Sequence, residues 1–490
     1  MVNLAREEWD LIFEEVYASP SSRVRTLRAV CLVSKSMYQM AMPWLYRHVR
    51  IVRGPPRVSK GCDSFYTIYK NPAKFAASVY VLVLLCPWGS AYYSSVDPWV
   101  RNWISALTMC RELREVEIRP MSGYPCTLSE FEATLSYILS AMQQLKKLRI
   151  VTLDLFPPRF NFAARDPNFD VTFDLPSVAL PGLRSFGLSV IDPSRHEDLI
   201  RRVNDLLRVA PKMRTFRLTL DFTQLHHVLS PQCRELLTSV TNLRILPTSC
   251  CIPAEIFSLP RRLTELTLRY NAVYLGVHAA VQPVTTLRVL TIEAPNPRTS
   301  GTHLRHEFDA MLVFIASLTQ GSQLEHLTIE SMCPSDDSGI CIDQHNFNAA
   351  ALPTTLNGFY AEKISVSTPV IVQLSRNCPG LRGLAVQLRY TAEFAKFPLQ
   401  ALSETALQCV QLSSWYYGDA CDVQMGQQSA VQWLERSSRL KHITVNRSTW
   451  LATRGSQLRA VSLDGTPRYP VDSVQKLDAW RHDACALTVR

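Results

Sequence analysis

Histidine pairs and acidic clusters are the candidate reactive groups of this chain, and each falls short of a working constellation. His303 and His306 stand three residues apart with Glu307 alongside, the nearest approach to a metal-ligand pair, and His226 and His227 form the one histidine doublet. A helical zinc pair of the H-E-x-x-H type sets its histidines four apart with a glutamate between them, and that pattern is absent from the sequence. Asp336 and Asp337 lie among Pro334, Ser335 and Ser338, the composition of a solvated turn. The sequence contains no G-x-S-x-G nucleophile turn and no phosphate-cradling loop, and glycine is scarce at 17 residues. Its 14 cysteines include no C-x-x-C, and only Cys250 and Cys251 adjoin, which disfavours both a zinc cage and a disulfide framework. These features predict a protein that is not an enzyme, with no catalytic residue, no metal and no cofactor.

The one chemistry that does recur is the guanidinium. Arg114, Arg184, Arg214, Arg244, Arg288, Arg382 and Arg459, joined by Lys146 and Lys441, hold the second position of a short phrase, L-x-x-Φ-x-Φ, in which Φ is apolar. The phrase begins at Leu113, Leu183, Met213, Leu263, Leu287, Leu324, Leu381, Leu407, Leu440 and Leu458. Weaker copies begin at Leu145, Leu243 and Leu356, and Val79 to Leu84 makes a degenerate first one. Mean spacing is about 29 residues, within the range of leucine-rich repeats, though irregular. If each phrase is a strand, its third and fifth residues and the one after the last Φ share one sheet face. That face then carries Glu115, Glu117, Thr215, His326, Thr328 and Gln387, with Arg217, Arg269, Glu293, Glu330 and Arg389. The candidate target-binding residues on face and rim are Arg184, Arg214, Arg217, Arg269, Arg288, Glu293, Glu330, Arg382 and Arg389. Two readings of the rim stay open: a basic ridge for an acidic or phosphorylated partner, or a solvated edge whose aliphatic stems cover the strand ends.

Strand phrases and helical segments alternate along the chain. Ser129 to Met142, His196 to Ala210, Phe308 to Leu318 and Val370 to Asn377 place apolar residues at helical spacing between the strand phrases, with breaks such as Pro181-Gly182 and Pro379-Gly380. Strands pairing in parallel lie about 4.8 Å apart and helices need about 10 Å, so such a stack must curve, with its sheet on the concave face. Phe156 to Pro176 and Cys333 to Leu352 read as insertions, and the segment after Leu463 as a cap. The 490 residues, 47% hydrophobic and 19% charged, suffice for a large core. A net charge of +10 spread over that length is no nucleic-acid signature. The start of the chain is charged and helical rather than a signal peptide, and the longest apolar run, Val79 to Leu85, is far short of the ~20 residues of a membrane span. The expectation is a cytoplasmic or nuclear protein with no nucleic-acid and no membrane partner.

Residues 4 to 50 have a different texture. Trp9, Leu11, Ile12 and Val16 make an apolar stripe on a first helix, Ser22 is placed to cap a second over Arg23 to Ser36, and a third over Met37 to Arg47 meets Pro43, which should kink or divide it. Val49 to Ile51 reads as extended, and Gly54, Pro55 and Pro56 as a linker. Three short helices cannot bury all their apolar residues against one another, so Leu4, Leu32 and Val33 are left wanting a partner.

The run from Leu4 through Glu7, Glu8, Ile12, Phe13, Leu27 and the CLVSKS segment (Cys31 to Ser36) to PWLYRHV (Pro43 to Val49) resembles an F-box, the adaptor-binding motif of SCF-type cullin–RING ubiquitin ligases, and in particular the F-box-like proteins abundant in mushroom-forming fungi. The proline that the family carries after its first leucine is Ala5 here, and its tryptophan after the Val-Ser-Lys segment is Met37. With the repeats, the chain resembles an F-box/leucine-rich-repeat protein. The fold this implies is α/β, an N-terminal three-helix F-box followed by a curved leucine-rich-repeat solenoid with a parallel sheet on the concave face. Expected boundaries are 1–53 for the helical domain, 54–78 for a linker, 79–465 for the solenoid and 466–490 for a C-terminal cap. The resemblance implies a substrate receptor whose partners are the ligase adaptor, through it a cullin, and an unidentified target protein. Leu4, Ile12, Leu32, Val33, Met37 and Leu45 would meet the adaptor. The alternative is a ligase-independent binding scaffold whose N-terminal helices merely cap the repeats.

Overall fold

The computed structural model describes residues 6–18, 23–52, 76–86, 107–120, 141–142, 144–154, 182–191, 197–209, 212–221, 229–245, 255–270, 282–294, 301–330, 341–348, 351–388, 406–414, 439–440, 442–445 and 448–451. The chain divides into two compact units, Met1–Cys250 and Cys251–Arg490.

The first unit opens with helices α1 (Arg6–Ala18), α2 (Arg23–Cys31) and α3 (Lys35–Leu45). Glu7 and Glu8 in the first turn of α1 complement the helix dipole. Each helix gives one fully buried residue to a shared core, Phe13, Leu27 and Ala41, and Trp9, Val16, Val30, Cys31, Met40, Trp44 and Leu45 pack around it. The second helix stops earlier than its periodicity predicts. The Leu32 and Val33 amides turn back to the Ala29 and Val30 carbonyls, and extended Ser34 then restarts the chain, its Oγ accepting the Met37 N–H at 3.1 Å. Ser34 is therefore the visible cap, and Ser22 lies outside the described residues. Pro43 does not divide α3, which runs through it and stops two residues later.

After the helices come strands β1 (His48–Val52), β2 (Val81–Cys86), β3 (Glu115–Pro120), β4 (Ile150–Asp154), β5 (Ser185–Ile191), β6 (Thr215–Asp221) and β7 (Asn242–Ile245), each parallel to the next. Their register stacks Val49, Leu82, Val116, Val151, Phe186 and Phe216 in one buried row, and Ile118, Leu153, Leu188, Leu218 and Leu243 in the next. Phe186 and Phe216 stack with ring centroids 6.0 Å apart. Helices α4 (Glu197–Val209) and α5 (Pro231–Thr238) fall between strands in sequence and bury Ile200, Val203, Cys233, Leu236 and Leu237.

Two of the weaker phrases are in a different phase from the one their leucines predict. Ile150 pairs with Glu115 and Val151 with Val116, so the unit begins at Leu148 rather than Leu145, and Arg149 rather than Lys146 holds its second position. Leu243 lies opposite Leu218 as the last apolar residue of its unit rather than the first, which places Arg244 within the strand.

In the second unit, β8 (Glu265–Arg269), β9 (Val289–Glu293), β10 (His326–Glu330), β12 (Gly358–Val366), β13 (Gly383–Leu388), β14 (Cys409–Ser414) and β15 (His442–Val445) pair in parallel in that order. Two strands stand apart from this order: β11 (Cys341–Ile342) pairs with the end of β12, and β16 (Ser448–Leu451) turns back antiparallel to β15. Its helices are α6 (Glu255–Ser258), α7 (Gly301–Thr319) and α8 (Thr368–Asn377). The opening residue of the phrase is buried in the described copies except at Met213, which is half-buried, and Leu263, Leu287, Leu324, Leu356 and Leu381 are fully buried. Part of the supposed insertion at 333–352 folds back onto the unit. There the Asn346 side-chain amide donates to the Cys341 carbonyl at 2.8 Å and to Asp309 Oδ1 at 3.0 Å, and Phe347 packs on Phe359. The stretch 156–176 and the expected C-terminal cap lie outside the described residues, and of the expected 129–142 helix only 141–142 are described. Among the described residues no helix is long and apolar enough to cross a membrane. The architecture is thus α/β, with N-terminal helices and short parallel strands of the kind found in leucine-rich-repeat-like solenoids.

Candidate functional site

Two surfaces stand out. The first is the turn between α2 and α3. Only residues 32–34 join the two helices, and so tight a connection carries Leu32 and Val33 outward at its apex, 87% and 72% exposed. On α1, Leu11 at 67% and Ile12 at 41% are exposed as well, although Phe13 beside them is buried. Leu11, Ile12, Leu32 and Val33 are thus large apolar side chains turned to solvent on a module that also has a formed core. Of the six expected adaptor contacts, Ile12, Leu32 and Val33 are exposed and Met37 is half-buried. Leu45 packs against the helical core, and Leu4 lies outside the described residues.

The second surface is the column of residues that enter the strands. In the first unit Arg47, Tyr80, Arg114, Arg149, Arg184 and Arg214 occupy it on six successive strands. Each carbonyl in the column accepts the amide of the next member at 2.8 to 2.9 Å and, from Arg47 to Arg184, the amide of the residue after it. Arg114, Arg149, Arg184 and Arg214 are exposed. At the helix-facing end the Arg47 guanidinium lies over Trp44 at 4.6 Å, and Arg47 and Arg114 each lie 4.9 Å from the Tyr80 ring. In the second unit the column reads Thr264, Arg288, Glu325, Asn357, Arg382 and Gln408, and Arg288 pairs with Glu325 at 3.6 Å. The ridge that the sequence draws through most of the repeats is therefore continuous only from Arg114 to Arg214 in the first unit.

The remaining candidates are scattered. Arg217 is exposed on β6, and its charge opposes the upward push on the Glu115 carboxyl that burial and the neighbouring Glu117 exert. Arg269 donates to Glu293 at 2.8 Å across β8 and β9, with the Glu293 carboxylate nearly buried, so that pair is engaged within the sheet. Glu330 is half-buried, Arg382 is exposed, and Arg389 lies outside the described residues. His306 is exposed on α7, and no group of three metal-ligating side chains occurs among the described residues.

The expected open face is closed over part of the second unit. His326, Thr328, Ala385 and Gln387 are buried, and so is Tyr360, at 3% exposure. The Tyr360 ring stacks on the His326 ring, centroids 6.3 Å apart and planes 15° from parallel. Tyr360 occupies a strand position that sequence reasoning left unassigned. Its signal was glycine at the third position of two neighbouring phrases, Gly358 and Gly383, where the missing side chains make room for the ring. Burial lowers the pKa of His326, against a smaller opposing effect of Glu325. The folded state thus holds this imidazole neutral, and below the ordinary histidine pKa the unfolded chain binds the extra proton. Stability should fall as pH drops from about 6.5 toward the lowered folded value, by at most ~1.4 kcal/mol per pH unit, and level off below it. Urea unfolding at pH 7.5 and 5.5 of wild type and His326→Gln checks this; equal pH dependence in the two would remove His326 as the cause.

No protein-family model matches this chain, and no curated protein matches it at a significant level.

Proposed function

We propose that the protein is the substrate-recognition subunit of an SCF-type cullin–RING ubiquitin ligase, with α1–α3 docking on the adaptor and the repeats holding a target. The observation that carries this reading is the exposure of Leu32 and Val33 at the α2–α3 apex. A helical cap serving only to shield the repeats would turn these two inward, whereas an F-box presents such residues to its adaptor. Burying a leucine and a valine in an interface contributes about 1.5–3 kcal/mol each, enough to make the turn an anchor. Such a receptor has no bond-making of its own to do. It raises the rate of ubiquitin transfer by holding the target beside the charged enzyme, an effect of proximity.

The test is co-purification of the full chain with the ligase adaptor, wild type against Leu32→Asp/Val33→Asp. Both side chains are exposed, so the variant should fold normally, with stability within about 0.5 kcal/mol per site. Two carboxylates forced into an apolar interface should abolish the complex. Failure of the wild type to bind would end the ligase reading and leave a repeat-based binding scaffold.

A further inference from the structure

We infer that the arginine column of the first unit is a docking ridge for an acidic, extended segment of a protein partner, its carboxylates or phosphates lying across the strands. This rests on the receptor reading for the role of that partner, and on the geometry alone for the ridge.

Four exposed arginines, Arg114, Arg149, Arg184 and Arg214, follow one another on four adjacent strands. Parallel pairing sets their backbones about 4.8 Å apart, so the four span about 14 Å. The spacing is held by the backbone, because the carbonyls of Arg114, Arg149 and Arg184 each bind two amides of the next strand. Among the described residues none of these four arginines has a carboxylate partner. The nearby turn charges Lys147 and Glu112 satisfy each other at 2.5 Å. Tyr80, held between Arg47 and Arg114, closes the end of the column nearest the helices. The second unit is the internal comparison: at the same structural position an acidic residue interrupts the column and pairs with its neighbour. Like charges stacked at strand spacing repel, and an unpaired run of them is relieved by an anionic ligand that bridges them.

The dimensions suit a polypeptide. An extended chain rises about 3.3 Å per residue, so about four residues cover the four arginines, and alternate side chains, about 6.7 Å apart, fall on one side. A guanidinium binds carboxylate or phosphate through two parallel N–H groups, which allows each acidic side chain to engage one arginine or straddle two. Nucleic acid fits less well. The column offers no free aromatic face for base stacking, since Tyr80 is already flanked by two guanidiniums.

The experiment is fluorescence anisotropy with the full chain and three labelled probes: a glutamate-rich peptide of about twelve residues, the same peptide with phosphoserines, and an oligothymidine of equal charge. Wild type should bind one or both peptides and lose affinity as salt shortens the screening length to about 8 Å at 0.15 M. Arg149→Glu/Arg184→Glu should weaken binding by about a hundredfold or more, as two attractions become repulsions. Arg261→Glu/Arg262→Glu, the same charge change on an exposed turn of the second unit, should alter it by less than about threefold. If the reversal variant folds poorly, Arg149→Gln/Arg184→Gln should still cost about tenfold. Absence of peptide binding, equal loss in the control variant, or tighter binding of the oligonucleotide through these arginines would each overturn the inference. The same reversal variant should retain the adaptor in co-purification. Adaptor capture without peptide binding would sink the ridge and spare the receptor reading, and peptide binding without adaptor capture would do the opposite.

Discussion

Phe13→Ala is expected to unfold the three N-terminal helices while the strands of the first unit stay folded. Phe13 is 1% exposed and is the largest side chain in a core that draws one residue from each helix. Its ring stacks on Trp9 at 5.8 Å and meets Trp44 at 6.4 Å, so truncation removes contacts to α1 and α3 together. A buried phenylalanine replaced by alanine costs about 3–5 kcal/mol, transfer and cavity combined. A module of three short helices has little more stability than that to lose. Hydrogen exchange followed by mass spectrometry reads the result region by region. Peptides from residues 6–45 should exchange about a hundredfold to a few thousandfold faster, and peptides from β5 and β6 should be unchanged. Protection unchanged over 6–45 would remove Phe13 as the keystone of the helices. Adaptor capture should be lost in this variant too, here through unfolding, whereas in Leu32→Asp/Val33→Asp the helices keep their protection.

The second large effect is expected at Gly358. A Cβ on this residue would lie 2.6 Å from both the His326 Nδ1 and the Tyr360 hydroxyl, and 2.8 Å from the Tyr360 ring. Both are side-chain atoms, yet neither side chain is free to swing aside, since His326 and Tyr360 are 8% and 3% exposed and stacked on each other. Gly383, on the adjoining strand, is nearly as tight, its own Cβ position 2.8 Å from the same hydroxyl. Overpacking of this kind costs about 1–3 kcal/mol. Denaturation followed by hydrogen exchange of β12 should place Gly358→Ala below wild type by that amount. Tyr360→Ala is itself destabilising, but in its background His326 loses its stacking partner and can shift, so the extra methyl has space. The double variant should therefore be more stable than the sum of the singles by about 1–3 kcal/mol. Simple additivity would mean that the ring does not depend on the glycine.

How much of this was legible beforehand follows from how local each signal is. The strand phrase is a period-2 pattern that a single strand carries within itself, so β3, β5, β6, β8, β9, β10, β12, β13, β14 and β15 fall where their leucines place them. Helices α4, α7 and α8 were readable for the same reason at helical spacing; α5 carries that spacing too, in Cys233, Leu236 and Leu237 behind the Ser230 cap, and went unread, whereas the single turn α6 is too short for a periodicity to show. The phase was ambiguous where the phrase overlaps itself. Leu145 and Leu148 both open an acceptable copy, and only the backbone bonds from Arg149 and Ile150 to the Arg114 carbonyl choose Leu148. The α2–α3 break was missed because Leu32 and Val33 continue an apolar run, and the interrupting feature, the extended backbone of Ser34, is conformational rather than compositional.

Most buried strand leucines, the longer helices and the placing of helices before a repeating α/β array are each written in a few consecutive residues, and so could be read from the chain alone. Three further matters required the folded chain: which arginines become neighbours, that Tyr360 closes the expected open face around His326, and that Leu32 and Val33 stand in solvent while Leu45 turns to the core. The reason is the same in each case. A neighbour across parallel strands is about thirty residues away along the chain, and the register of the pairing, set by backbone hydrogen bonds and the packing behind them, is a property of two segments together.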